Sequence, residues 1–186
     1  MAKPGYIKAF ILLKVAVGEE DNVAKKLFDI SEVKEVYMIT GEFDILCIIE
    51  SEEELVHPWR KITELILKKI RKIDGIIETK TIIPFSTQTK SGQIGLKEKA
   101  VKSFVFIETE TGKEKYVMKK LLNINEIQEV YFIPGKADIL AVLEIEKSLT
   151  TPYPDKVLSI VMDKVRVIPG VRDTETIIPD RSHIKP

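Results

Sequence analysis

The chain is written twice. Residues 8–50 lie without a gap on residues 102–144 at an offset of 94, with 19 identities in 43 positions. After a slip of one residue the match resumes at an offset of 95, IDGIIETKTIIPF (73–85) against IPGVRDTETIIPD (168–180). A repeat of about 80 residues is small-domain size, so the chain must be built from two copies of one folding unit. The joint, Ser86 to Ala100, is polar, carries two glycines and lacks apolar periodicity, which reads as a flexible linker. The expected organisation is a first domain over 1–85, a linker over 86–100 and a second domain over 101–186.

Within each unit the hydrophobic period switches between strand and helix. Ile7 to Val17 is a β-branched and aromatic run, hence a strand. Val23, Ala24, Leu27 and Phe28 recur at helical spacing behind an acidic entry that suits a helix N-terminus. Val33 to Thr40 and Phe43 to Glu50 form two strands across a turn at Gly41. Trp59, Ile62, Ile66, Ile70 and Ile73 make a second helical stripe, with Lys68, Lys69, Arg71 and Lys72 at its basic end and Gly75 as C-cap. Thr79 to Phe85 is the last strand. The order βαββαβ, twice, predicts an α+β protein of two tandem ferredoxin-like units with both helices on one face of each sheet. Such a sheet should alternate apolar and polar residues, yet Leu46 and Ile48 alternate with Ile45, Cys47 and Ile49. Both faces are therefore expected to be covered, most economically by sheets packing face to face, within the chain or in a homo-oligomer.

Composition narrows the function. A 44% hydrophobic content excludes wholesale disorder, and no apolar run reaches the roughly 18 residues of a membrane span. The N-terminus MAKPGYIKAF has no signal-peptide blocks, so a cytoplasmic protein without membrane contact is expected. Lys+Arg and Asp+Glu both number 29, which argues against direct nucleic-acid binding. One cysteine allows no intrachain disulfide, and two histidines without carboxylate help build no metal centre. No dinucleotide or phosphate-loop motif implies a cofactor. The 31% charged content, rich in Lys and Glu, leans toward a hot environment.

Two segments carry a resemblance. Val36-Tyr37-Met38-Ile39-Thr40-Gly41-Glu42-Phe43-Asp44-Ile45-Leu46 has G-x-x-D at the hairpin, and Ile168-Pro169-Gly170-Val171-Arg172-Asp173-Thr174-Glu175-Thr176 has G-V-x-x-T-x-T at the last strand. Together, twice over on a βαββαβ pattern, they resemble the RAM (regulation of amino-acid metabolism) effector domain of the Lrp/AsnC regulators, end to end in each repeat. That resemblance implies a dimeric α+β barrel, further assembly, and a small effector, usually an amino acid, bound between dimers. Only MAKPGY precedes the first strand, so a stand-alone tandem without the family's helix-turn-helix module is expected. Matched by motif, the implied ligand-binding residues are Gly41, Asp44, Thr79 and Thr81, and in the second repeat Gly135, Asp138, Thr174 and Thr176. A carboxylate suits a ligand ammonium, and hydroxyls and turn N–H groups suit its carboxylate. Equally, Asp at a hairpin end caps turns and Thr favours strands. The second copy departs from the pattern at Pro134, Lys136 and Ala137, and Lys136 is placed to offer Asp138 an internal salt bridge.

His57, His183 and Cys47 lack neighbours at triad or ligand spacing, so no catalytic or metal role is expected and the protein is read as a non-enzyme. The leading expectation is a small-molecule sensor that acts through its oligomeric state. Co-assembly with full-length Lrp/AsnC regulators is the alternative, and a ferredoxin-like oxygenase-type enzyme a distant third.

Overall fold

The computed structural model describes residues 5–52, 57, 59–90, 100–146 and 152–185. The chain divides into two compact units, Met1–Ile83 with Pro179–Pro186, and Pro84–Ile178. The first runs β1 (Tyr6–Val15), α1 (Glu20–Phe28), β2 (Val33–Met38), β3 (Ile45–Glu52), α2 (Arg60–Lys68) and β4 (Ile76–Ile82). Its four strands lie antiparallel in the order β2-β3-β1-β4, the ferredoxin-like arrangement expected. Acidic Glu20 and Asp21 open α1, and Lys25 and Lys26 close it, each sign at the end the helix dipole favours.

One sheet face packs under the helices. Ile11, Leu13 and Val15, Val36 and Met38, and Ile45, Cys47 and Ile49 form one core with Val23, Ala24 and Leu27 of α1 and Ile62, Leu65 and Ile66 of α2. The opposite face is buried as well: Phe10, Leu12, Tyr37, Leu46 and Ile48 are each at most 5% exposed. The two-sided apolar pattern of the sequence is thus realised in burial.

The second unit opens with β5 (Ser86–Thr89), then repeats the order as β6 (Ala100–Thr109), α3 (Glu114–Leu121), β7 (Ile127–Phe132), β8 (Ile139–Glu146), α4 (Tyr153–Ile160) and β9 (Val171–Ile177). Its sheet runs β5-β7-β8-β6-β9. A final strand, β10 (Arg181–Ile184), completes the first sheet as β10-β2-β3-β1-β4. The tail of each repeat therefore becomes the fifth strand of the other repeat's sheet. The two tails are held alike. The Phe85 N–H donates to the Phe132 carbonyl and the Lys90 N–H to that of Gln128; at the matching positions the Asp180 N–H donates to Met38 and the Lys185 N–H to Lys34. Each tail ends in a lysine latch. Lys90 Nζ donates to the Ile124 carbonyl at 2.6 Å, and Lys185 Nζ to the Ile30 carbonyl at 2.6 Å, just past α3 and α1. Desolvation holds the Lys90 ammonium below its ordinary pKa.

These tails revise the expected boundaries. Ser86–Thr89 is strand rather than linker, residues 91–99 of the expected linker lie outside the described residues, and Pro179 onward joins the first unit. Short, polar, exposed strands held through the main chain have no apolar period to announce them. Three local expectations also shift. Trp59 is 49% exposed, and Leu65 takes its place in the buried stripe. Gly75 (φ +98°) turns the chain ahead of β4 rather than capping α2, because a 3-10 turn over Ile70–Lys72 intervenes. β4 begins at Ile76, three residues before Thr79.

Removing a latch leaves a carbonyl without its charged donor. Lys185→Met and Lys90→Met should each lower unfolding free energy by about 1–2 kcal/mol in urea titrations. Lys26→Met, on an exposed helix position, is the neutral control.

Candidate functional site

The hairpin aspartates sit where a strand runs past its neighbour. The last β1–β3 pair is Leu13 opposite Ile45, and β1 continues two residues beyond it. Asp44 fills that gap: its N–H donates to the Leu13 carbonyl, its carbonyl accepts from the Ile39 N–H, and its Oδ2 accepts from the Val15 N–H at 2.7 Å. Asp138 does the same between Ile107, Ile133 and the Thr109 N–H, and it also accepts from the Thr109 hydroxyl at 2.9 Å. On the other side of β1, Lys14 faces Glu78 and Val15 faces Ile76, which leaves Ile77 as a bulged extra residue on β4. The carboxylate therefore fixes the β1 end where regular pairing stops on both sides. Gly41 (φ +127°) and Gly135 (φ +131°) lead into the turn in a backbone region that side chains strain, and both are exposed.

The threonines belong to a different part of each sheet. Thr79 stands opposite Leu13 and Thr81 opposite Ile11, so both share the helix-covered face. Thr174 opposite Ile107 and Thr176 opposite Val105 repeat this on β9. β4 and β9 are edge strands. Asp44 lies across β1 from Thr79, two strand spacings or about 10 Å away by sheet geometry. The motif residues thus gather at one end of each sheet as two subsites, a hairpin clamp and a threonine edge.

Arg71, expected only as part of a basic helix end, completes the threonine edge. Its Nε donates to Thr79 Oγ1 at 2.9 Å from the 3-10 turn. Arg166, its counterpart at offset 95, follows a π-turn over Val161–Val165 and approaches Asp173 at 3.6 Å. The signal available was the Arg identity at the same offset as T-x-T. The helix ends that carry these arginines are pinned alike, Lys69 to Glu32 at 3.2 Å and Lys164 to Glu126 at 2.9 Å. The Ser31 hydroxyl, then Lys69, holds the Glu32 carboxyl below its ordinary pKa.

Other candidates resolve into packing. Lys136 pairs with Glu108 at 3.4 Å rather than with Asp138, whose carboxylate accepts from the Thr109 N–H and hydroxyl. Cys47 is fully buried, and desolvation pushes its thiol pKa far up. His183 packs its ring on Phe28, and His57 is exposed. Tyr153 of α4 contacts the Ser103 hydroxyl and donates to the Lys102 carbonyl, tying that helix to β6; burial raises its pKa. Among the described residues, no group of three or more His, Cys, Asp or Glu is placed to hold a metal, and no helix is long and apolar enough to cross a membrane.

If the aspartates are clamps, their removal costs stability in proportion to the bonds they accept. Asp44→Ala and Asp138→Ala should each destabilise by about 1–3 kcal/mol in denaturant unfolding, with Asp138→Ala the larger because it also orphans a hydroxyl. Equal, negligible effects would remove the clamp role.

Against known proteins, residues 8–94 match the family model described as the Lrp/AsnC ligand binding domain. The HTH-type transcriptional regulator FL11 of Pyrococcus furiosus is 33% identical over 96 residues, covering 50% of this chain and 58% of that protein. FL11 of Pyrococcus abyssi is 33% identical over 91 residues, covering 48% and 55%. The chain thus spans little more than half the length of these curated relatives. Among solved structures, the siroheme decarboxylase NirDL in co-complex with an iron-uroporphyrin III analogue superposes with a TM-score of 0.65 over 96% of this chain and 72% of that one. At 10% identity that likeness is one of fold alone. Residues 8–94 thus carry a match to the Lrp/AsnC ligand binding domain, and the second repeat follows the first by internal identity.

Proposed function

We propose that the chain is a regulatory effector unit that binds a small molecule of the amino-acid class and acts through its state of assembly, without catalysing a reaction and without contacting DNA itself. The observation that carries this reading is the match of residues 8–94 to a ligand-binding domain, joined to the Arg71–Thr79 edge that the fold builds there. A guanidinium fork beside a hydroxyl suits a carboxylate, which it grips in two parallel bonds. The Asp44 carboxylate is already engaged by the Val15 N–H on the other side of β1. The ligand carboxylate is therefore assigned to Arg71 and Thr79, with Thr81 alongside, while Asp44 and Gly41 shape the hairpin. In the second repeat Arg166 already leans on Asp173, so its edge offers a weaker anion site.

The test is a thermal-stability screen of the full chain with each common amino acid at millimolar concentration. A binder raises the midpoint by mass action. Thr79→Val and Arg71→Met should abolish that rise while leaving the ligand-free midpoint nearly unchanged. No rise with any amino acid would sink the reading.

A second reading has an observation of its own. Each sheet is completed by a strand from another repeat, which favours co-assembly with full-length Lrp/AsnC regulators. An affinity-tagged chain incubated with a purified full-length regulator should then retain it through gel filtration, and separate elution would dismiss the partner.

A further inference from the structure

The two arginine edges differ in the charge that lies one strand away from them. At matching positions, offset 94, Lys14 and Glu42 of the first repeat correspond to Glu108 and Lys136 of the second, so the two signs exchange places. In the second repeat the pair is made, with Lys136 3.4 Å from Glu108. The same positions also face the acidic residue that precedes the first threonine of T-x-T. Lys14 stands opposite Glu78 on β4, and Glu108 stands opposite Asp173 on β9. Opposite charges directly across a ladder attract, and like charges there repel.

The consequence reaches the arginine. In the first repeat Glu78 has a cation opposite it on β1, and the Arg71 Nε donates to Thr79 Oγ1 at 2.9 Å. In the second repeat Asp173 faces a carboxylate whose own cation is Lys136. Asp173 is held instead on the arginine side: its Oδ1 accepts from the Thr174 N–H at 2.8 Å and lies 3.6 Å from Arg166 Nη2. A carboxylate in that place stands in for the anion that a guanidinium beside a hydroxyl would otherwise take.

Resting on the carboxylate reading of the Arg71–Thr79 edge, we propose that the charge inversion closes the second edge: Glu108 is a positioning residue that turns Asp173 onto Arg166, and Asp173 occupies that edge as an internal carboxylate. The chain then offers one open carboxylate edge, at Arg71, and one self-occupied edge, at Arg166. The internal pair is solvent-exposed, with the Arg166 side chain 44% and the Asp173 side chain 61% accessible. An external carboxylate therefore competes with Asp173 for Arg166 and is not shut out.

The experiment titrates the full-length chain, isotope-labelled in its arginines, with acetate at constant ionic strength. The side-chain Nε–H resonances of Arg71 and Arg166 report the two edges within one molecule, so each serves as the control for the other. Arg71 should reach its midpoint at about two- to fivefold less acetate than Arg166, the range for competition with an exposed ion pair. Asp173→Asn, and separately Glu108→Lys combined with Lys136→Glu, should each bring the Arg166 midpoint down toward that of Arg71 and leave Arg71 unmoved. Equal midpoints in the unmodified chain, or an Arg166 midpoint that either variant fails to move, would overturn the proposal while the response of Arg71 upheld the carboxylate reading. A response at Arg166 in the Asp173→Asn chain with none at Arg71 would uphold the self-occupied edge and remove the reading at Arg71. Silence at both arginines in every chain would remove both.

Discussion

The two-sided burial of the central strands governs the rest of each unit. In most antiparallel sheets a one-residue slip drives charges inward and is forbidden by that cost. In β3 a slip would merely trade Ile45, Cys47 and Ile49 for Leu46 and Ile48, all of them buried. Hydrophobicity alone therefore leaves the register underdetermined, and polar contacts must fix it. Asp44 and Asp138 hold the ends of β1 and β6. Lys8 pairs with Glu50 directly across β1 and β3 at 3.6 Å. Tyr37 donates to Glu35 within β2, as Tyr131 does to Glu129 in β7. The contacts that cross between strands, at Asp44, Asp138 and Lys8, survive only in the observed register, whereas the tyrosine–glutamate contacts lie within one strand and are indifferent to it.

This shifts the meaning of the G-x-x-D motif. Its glycine permits a turn that ordinary residues resist, and its aspartate takes the place of a missing strand partner. The same residues would have served equally well as ligand groups on paper, because a carboxylate that accepts from a backbone N–H and one that accepts from an ammonium leave the same letter in the sequence. The threonines are different. Among the described residues they lie on edge strands, and Thr79 accepts from Arg71 there.

Much of the fold was legible because it rests on period. The strands and helices that bury apolar side chains stand close to where Ile7–Val17, Val23–Phe28 and Ile62–Ile70 place them, and the duplication cross-checks each one. What escaped were elements whose stability comes from the main chain. Ser86–Thr89 and Arg181–Ile184 carry no apolar stripe, so they looked like linker and tail. A signal was present all the same: IIPFSTQTK and IIPDRSHIK share Ile-Ile-Pro and a lysine six residues after the proline. The offset of 95 holds five residues further, through Lys90 and Lys185, the two latches. The Arg71–Thr79 contact was hidden for another reason, since it joins a helix end to a strand and only the folded chain shows their proximity.

A homodimer of single repeats is condemned to symmetry, because every mutation appears in both halves at once. Writing the two halves into one chain lifts that restriction. Asp21 and Lys115, Val15 and Thr109, Ala9 and Ser103 stand at equivalent places yet differ in charge or polarity, and none of these differences could persist between identical subunits. Duplication within one chain thus gives this fold a left and a right hand, each free to differ where identical subunits could not.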